Sequence, residues 1–127
     1  MEKEELNKIL SKHKKWLRTN SKFGCVANFR LMKLRHVDLS HADLRYADLS
    51  YADLDYSFFP LWCGGLDVNI DDRQATQLLY HLIRNVNYSE NISESFKKLC
   101  MTESLVNQAN KFRRIDECGI IKETKTK

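Results

Sequence analysis

Between Ala27 and Phe59 the sequence repeats itself every five residues, a period that neither a helix of about 3.6 residues per turn nor an alternating strand produces. Seven units keep one register: Ala27-Asn28-Phe29, Met32-Lys33-Leu34, Val37-Asp38-Leu39, Ala42-Asp43-Leu44, Ala47-Asp48-Leu49, Ala52-Asp53-Leu54 and Ser57-Phe58-Phe59. The small and large members of each triplet stand two apart, so in extended backbone both point inward, and the residue between them, most often Asp, points out. Two residues then remain for a bend. A bend after every unit coils the chain on itself, and successive coils pair their backbones at about the 4.8 Å spacing of neighbouring strands. Leu44 and Leu49 are expected at the centre of the coil and Ser50 on its outside.

The A-D-L-x-x run from Ala42 to Tyr56 resembles the pentapeptide-repeat proteins, with Met32 and Val37 standing where the pattern has Ala. That resemblance implies a right-handed, four-sided β-helix with the large residue at its centre. Stacking partners then lie twenty residues apart: Asn28 with Asp48, Lys33 with Asp53, Arg35 with Asp55. The flanks, His13-Lys14-Lys15-Trp16-Leu17 before the repeats and Phe59-Pro60-Leu61-Trp62-Cys63-Gly64-Gly65 after them, are also similar to small pentapeptide-repeat proteins of phages and prophages. The expected fold class is α+β: a short right-handed quadrilateral β-helix of under two coils, capped by an N-terminal helix and a C-terminal helical subdomain. The segments are 1–22 (amphipathic capping helix and linker), 23–61 (repeats), 62–121 (helical subdomain) and 122–127 (flexible tail), together one compact domain.

Outside the repeats the pattern is helical. Leu6, Ile9, Leu10, His13 and Leu17 form one stripe, with Trp16 at its edge and lysines opposite. Gly24 marks the turn into the repeats and Pro60 their end. Asp67 to Ile70 alternates like a brief strand. Asp71 and Gln74 are spaced as a capping box, so a helix should begin at Asp72 and bury Ala75, Leu78, Leu79, Leu82, Ile83 and Val86. The apolar phase set by Phe96 and Leu99 breaks at Thr102, a good N-cap, which predicts two short helices or a kink. Ile115 to Ile121 reads as an irregular closing piece.

The net charge of +4 is concentrated at the ends. Residues 1–18 carry six Lys or Arg against three Glu, and residues 119–127 three Lys against one Glu, which leaves residues 19–118 at −1. Basic termini are most simply solvated; the alternative is nucleic-acid binding through Lys12, Lys14, Lys15 and Arg18. The start of the chain is unlike a signal peptide and no apolar run reaches the roughly 18 residues of a membrane span, so a soluble cytoplasmic protein without membrane partners is expected, and the phage resemblance implies a bacterial host. Cys25, Cys63, Cys100 and Cys118 are far apart without a C-x-x-C, which fits free thiols.

Asp38, Asp43, Asp48 and Asp53 invite a carboxylate-cluster reading, but on a four-sided coil they face apart and are better read as turn residues. The acidic, DNA-imitating rod of longer family members is not implied here either. Residues 27–59 hold four basic residues against five acidic ones, in a stack under about 10 Å tall. Cys63, His81 and Cys118 are the alternative for a metal site or thiol enzyme, though their spacing fits no common zinc pattern and no orienting third residue accompanies them. No nucleotide loop or catalytic set emerges, and no cofactor is expected.

The outward positions of the coil carry Arg30, Arg35, Arg45, Tyr46, Tyr51 and Tyr56, residue types enriched in binding hot spots. The expected function is non-enzymatic protein binding by a monomer or homodimer. Its partner is expected to be a host protein or ribonucleoprotein complex. Extending the phage resemblance, the protein would be an accessory inhibitor of a host factor such as a CRISPR or other defence complex.

Overall fold

A computed structural model describes residues 1–122; the 122–127 tail falls, but for Lys122, outside the described residues. The chain forms two units, Met1–Asp71 and Asp72–Lys127.

In the first unit the first six repeats each end in a turn closed by the same hydrogen bond. The N–H of the small residue donates to the carbonyl of the large residue three positions earlier: Met32 to Phe29, Val37 to Leu34, Ala42 to Leu39, Ala47 to Leu44, Ala52 to Leu49 and Ser57 to Leu54, all at 2.9–3.2 Å. Four such turns return the chain beneath itself. Phe29, Leu34 and Leu39 donate to the carbonyls of Asp48, Asp53 and Phe58, and Asp48, Asp53 and Phe58 donate back to Ala27, Met32 and Val37. Backbone polar groups around a dry centre are thereby satisfied, which burial demands. Phe29, Leu34, Leu39, Leu44 and Leu49 are fully buried, with Ala27, Ala47 and Ala52 beside them.

The expected β-helix, and with it the α+β class, is corrected. Among the described residues there is no strand and no sheet, only four isolated parallel bridges: Asn28–Asp48, Lys33–Asp53, Asp38–Phe58 and Asp48–Asn69. The reason is the period itself. A turn at every fifth residue leaves one or two extended residues per side, too few for consecutive ladder pairs. Regular secondary structure is helical, although the twenty-residue offset of the first three bridges matches the spacing expected from the repeats.

Layering runs past the repeats. Leu44 donates to Gly64, Leu49 to Asn69 and Tyr46 to Asp67, so residues 62–69 lie against 42–49. The register has slipped by one: Leu39 pairs with Phe58, nineteen residues on, whereas Leu44 pairs with Gly64, twenty on. A 3-10 turn at Cys63–Gly65 absorbs the extra residue. A Cβ on Gly64 would stand 2.8 Å from the Ala42 carbonyl oxygen and 2.4 Å from the Trp62 ring, so only glycine lets the layers meet there.

Helix α1 (Lys3–Arg18) lays Leu6, Ile9 and Leu10 on the same core as Phe29, Leu34, Leu39 and Leu44. It is tied down by two bonds. The Cys25 N–H donates to the Lys12 carbonyl at 3.2 Å, and the Ala27 N–H donates to His13 Nδ1 at 3.0 Å. Gly24, at φ +77°, brings the chain so close under α1 that a Cβ would sit 2.3 Å from the Lys12 carbonyl oxygen.

The second unit has its own core of Tyr80, Ile83, Val86, Cys100, Val106, Ala109, Phe112 and Ile121. Helix α2 (Asp72–Tyr88) starts where the sequence places it, but its buried face is rotated. Gln74, Thr76 and Tyr80 are buried, while Leu78 and Leu82 are 47% and 49% exposed. The phase break at Thr102 is real: α3 (Glu94–Cys100), capped by Ser93 accepting from the Phe96 N–H, is followed by α4 (Glu103–Ala109) with Thr102 at its N-cap. The irregular closing piece instead opens with a helical turn, α5 (Ile115–Cys118).

Leu49→Ala should lower the unfolding free energy by about 2–5 kcal/mol. Ser50 is buried rather than outward, donating to Asp48 Oδ1 at 2.6 Å and accepting from Arg30 Nη1 at 3.4 Å, so Ser50→Ala should cost about 1 kcal/mol. Chemical denaturation of both variants checks the assignment, and equal costs would contradict it.

Candidate interaction surface

In five of the seven triplets the middle residue builds the corner that follows it. Oδ1 of Asn28, Asp38, Asp43, Asp48 and Asp53 accepts the backbone N–H of residues 30, 40, 45, 50 and 55, at 2.9–3.3 Å. These are Asx turns, and they explain the aspartates without a metal. Ser40 and Ser50 add their hydroxyls to Asp38 and Asp48, and the Arg45 guanidinium holds Asp43 through two bonds of 2.9 and 2.7 Å. Each contact favours the charged carboxylate and holds it below its ordinary range: the Ser40 hydroxyl at Asp38, the Arg45 side chain at Asp43 and the Ser50 hydroxyl at Asp48.

At five of the six corners the tip residue is strained. Leu31, His36, Tyr46, Tyr51 and Tyr56 have φ of 61–68°, as type II turns demand at their third position, where Gly or Asn is the usual occupant. A bulky side chain there costs about 1–2 kcal/mol. Three of the five are tyrosines that remain 54–60% exposed. The cost therefore places large aromatic surface on rigid backbone, in water.

The six residues expected to contact a partner fall on three corners. Arg30 lies over the Tyr51 ring at 4.6 Å. At the next corner Arg35 lies 5.5 Å over Tyr56, which stacks on His36 at 4.9 Å, and Arg35 also reaches Asp53 and Asp55 at 3.4 and 3.8 Å. Arg45 and Tyr46 share the third, where the Tyr46 ring meets Trp16 of α1 edge-on at 6.3 Å. The Tyr46 and Tyr51 corners bound one side of the coil. There Asn69 donates to Asp48, and the Tyr51 N–H is taken by the Asp71 carboxylate.

The four basic residues of α1 do not form one track. Lys14 and Arg18 are one turn apart on the side of α1 that faces the coil across a groove of about 870 Å³. Lys15 lies 5.9 Å over the Phe23 ring, and Lys12 is at a third angle around the helix. Trp62 and His13 escape a reading by residue type alone. Trp62 walls the groove beside Ala42, and the signal is that it stands twenty residues after Ala42. His13 is fully buried and accepts from Ala27, while its Nε2 has no hydrogen-bond partner among the described residues. Burial pushes its pKa down, with the nearby Arg45 backbone and the Asp43 carboxylate acting in the opposite sense.

Cys63 belongs to the first unit, His81 and Cys118 to the second. The His81 Nδ1 is paired with the Gln77 carbonyl at 2.8 Å, and the Cys118 carbonyl accepts from Arg84 at 2.6 Å. All four cysteines are free, and among the described residues no group of three His, Cys, Asp or Glu could hold a metal. Nor is any helix among them long and apolar enough to cross a membrane.

Five-residue turns stacked into a rigid support for outward side chains make a scaffold suited to protein interaction, a class that is generally non-catalytic. Residues 27–57 match the family model described as pentapeptide repeats (8 copies), so that stretch is built of pentapeptide repeats. Comparison with curated proteins and with solved structures finds no match.

Because the His13 pKa is lowered on folding, the neutral form is favoured by the folded state, and its stability is complete above about pH 6.5 and lost as pH falls below it. The carboxylates act later: their lowered pKa values stabilise the fold above about pH 4, and that contribution disappears as pH falls further. Unfolding measured from pH 7 to 5 should show stability falling with pH, and His13→Gln should flatten that dependence. An unchanged slope would remove His13 from the titration.

Proposed function

We propose that the protein binds another protein through the corners of the coil, with contact centred on Arg45, Tyr46 and Tyr51 and with Arg30, Arg35 and Tyr56 on the flanking corners. The observation that carries this is the tyrosines' backbone: bulky rings at positive φ, exposed, at positions where glycine would be free of strain. Local rules of this kind are commonly broken where function requires it. A rigid support also loses little entropy on binding, and Tyr and Arg give large contact area.

The finer reading extends the phage resemblance. The partner is a protein or ribonucleoprotein complex in the cytoplasm of a bacterial host, such as a CRISPR or other defence complex, and binding inhibits it without cofactor or catalysis. The protein acts as a monomer or homodimer. Nucleic-acid binding through Lys12, Lys14, Lys15 and Arg18 fits less well, since Lys14 and Arg18 face the groove while Lys15 lies over the Phe23 ring.

Affinity capture from a bacterial host should yield one protein assembly with the wild type and lose it with Tyr46→Ala/Tyr51→Ala. The circular dichroism spectrum and Tm of that variant should stay nearly unchanged. Retained capture by the double variant, together with loss on charge reversal of Lys12 and Lys15, would move the interface to α1.

A further inference from the structure

The groove between α1 and the coil has two unlike walls. On α1, Lys14 and Arg18 stand one turn apart above Leu10 and Leu17, and neither cation has an ion-pair partner among the described residues. On the coil, Ala42 and the half-exposed Trp62 ring make an apolar surface. Of the groove's other charges, Arg45 and Asp43 neutralise one another at 2.7 Å, while Asp38 keeps its charge on the coil wall, held by a hydrogen bond from Ser40. The unpaired positive charge sits on the α1 rim.

We propose that this groove takes an extended acidic peptide segment of a partner protein. An apolar side chain would rest against Trp62, Leu10 and Leu17, and neighbouring carboxylates would pair with Lys14 and Arg18. The proposal rests on the reading of the chain as a protein binder and adds a second contact whose chemistry can be stated. The groove follows α1 from Asn7 to Arg18, about 16 Å at helical rise, which matches about five residues of extended chain. Electrostatic complementarity favours acid on the α1 side. A peptide also carries N–H donors, which the Asp38 carboxylate can accept. A nucleic acid strand has a phosphate at every step and would set some of them against the Asp38 carboxylate, whereas a peptide can place an N–H there and keep its carboxylates on the α1 side, which favours the peptide.

The test needs no knowledge of the natural partner. Random octapeptides displayed on phage are selected on the full-length protein, and the enriched sequences are sequenced and resynthesised with a fluorescent label. Enrichment of Asp or Glu beside an aromatic or aliphatic residue is expected. The resynthesised peptides should bind about tenfold or more weakly to Lys14→Glu/Arg18→Glu, a surface change that leaves the core untouched, and to Trp62→Ala. They should bind Tyr46→Ala/Tyr51→Ala as well as the wild type, so loss of the corner interface and loss of the groove are separately visible. The proposal is overturned if no acidic-apolar motif emerges, if the enriched peptides bind the Lys14→Glu/Arg18→Glu variant equally well, or if a labelled single-stranded oligonucleotide competes for the same variant-sensitive site and binds more tightly than any peptide.

Discussion

The fold of the first unit depends on one hydrogen bond made again and again, from the N–H of a small residue to the carbonyl of the large residue three positions before it. That bond sets a corner every five residues. Four corners bring the chain into register with itself, and register permits the bonds between layers. Only when the layers meet are Phe29, Leu34, Leu39, Leu44 and Leu49 shut away from water. The side-chain carboxylate or amide of the preceding residue holds each corner from outside. At the corner after Lys33, which has no such group, Arg35 reaches across to Asp53 and Asp55 of the next layer.

Much of this was legible. Triplet spacing fixes which side chains point inward, because two residues apart in extended backbone share a side, and the twenty-residue partners Asn28–Asp48, Lys33–Asp53 and Arg35–Asp55 are those that form. Helix α1 and the start of α2 follow from apolar stripes and a cap. Three things were not legible. The repeat implies a β-helix, but sides one or two residues long make bridges and no strand. Ser50 looks outward by position, yet its hydroxyl is drawn in by Asp48 and Arg30. In α2 the leucines suggest one face, but Tyr80 takes the core and leaves Leu78 and Leu82 half exposed, because a ring stacked on Phe112 at 4.6 Å with its hydroxyl bonded to Gly119 satisfies more of the interior than a leucine could. The surface site was half visible: residue types picked out the arginines and tyrosines, but the strain beneath the tyrosines is a property of φ and appears only in the structure.

These pieces make a consistent mechanical picture. Layer bonds hold the corners, the corners hold tyrosines in a conformation they would not adopt alone, and α1, pinned through His13 and Cys25, closes one side and contributes a groove wall. Binding to such a surface costs little ordering. Burial of the imidazole at position 13 favours its neutral form and so ties the attachment of α1 to pH.

Native-state hydrogen exchange tests the central claim, that stacked corners are rigid without a sheet, most directly. Amides that bond between layers, those of Phe29, Leu34, Leu39, Asp48, Asp53 and Phe58, should exchange together and about a thousandfold or more slowly than they would in an unfolded chain, opening only with the whole unit. Exchange of these amides one corner at a time, at rates near those of free loops, would show that the coil is not a rigid support and would contradict the account.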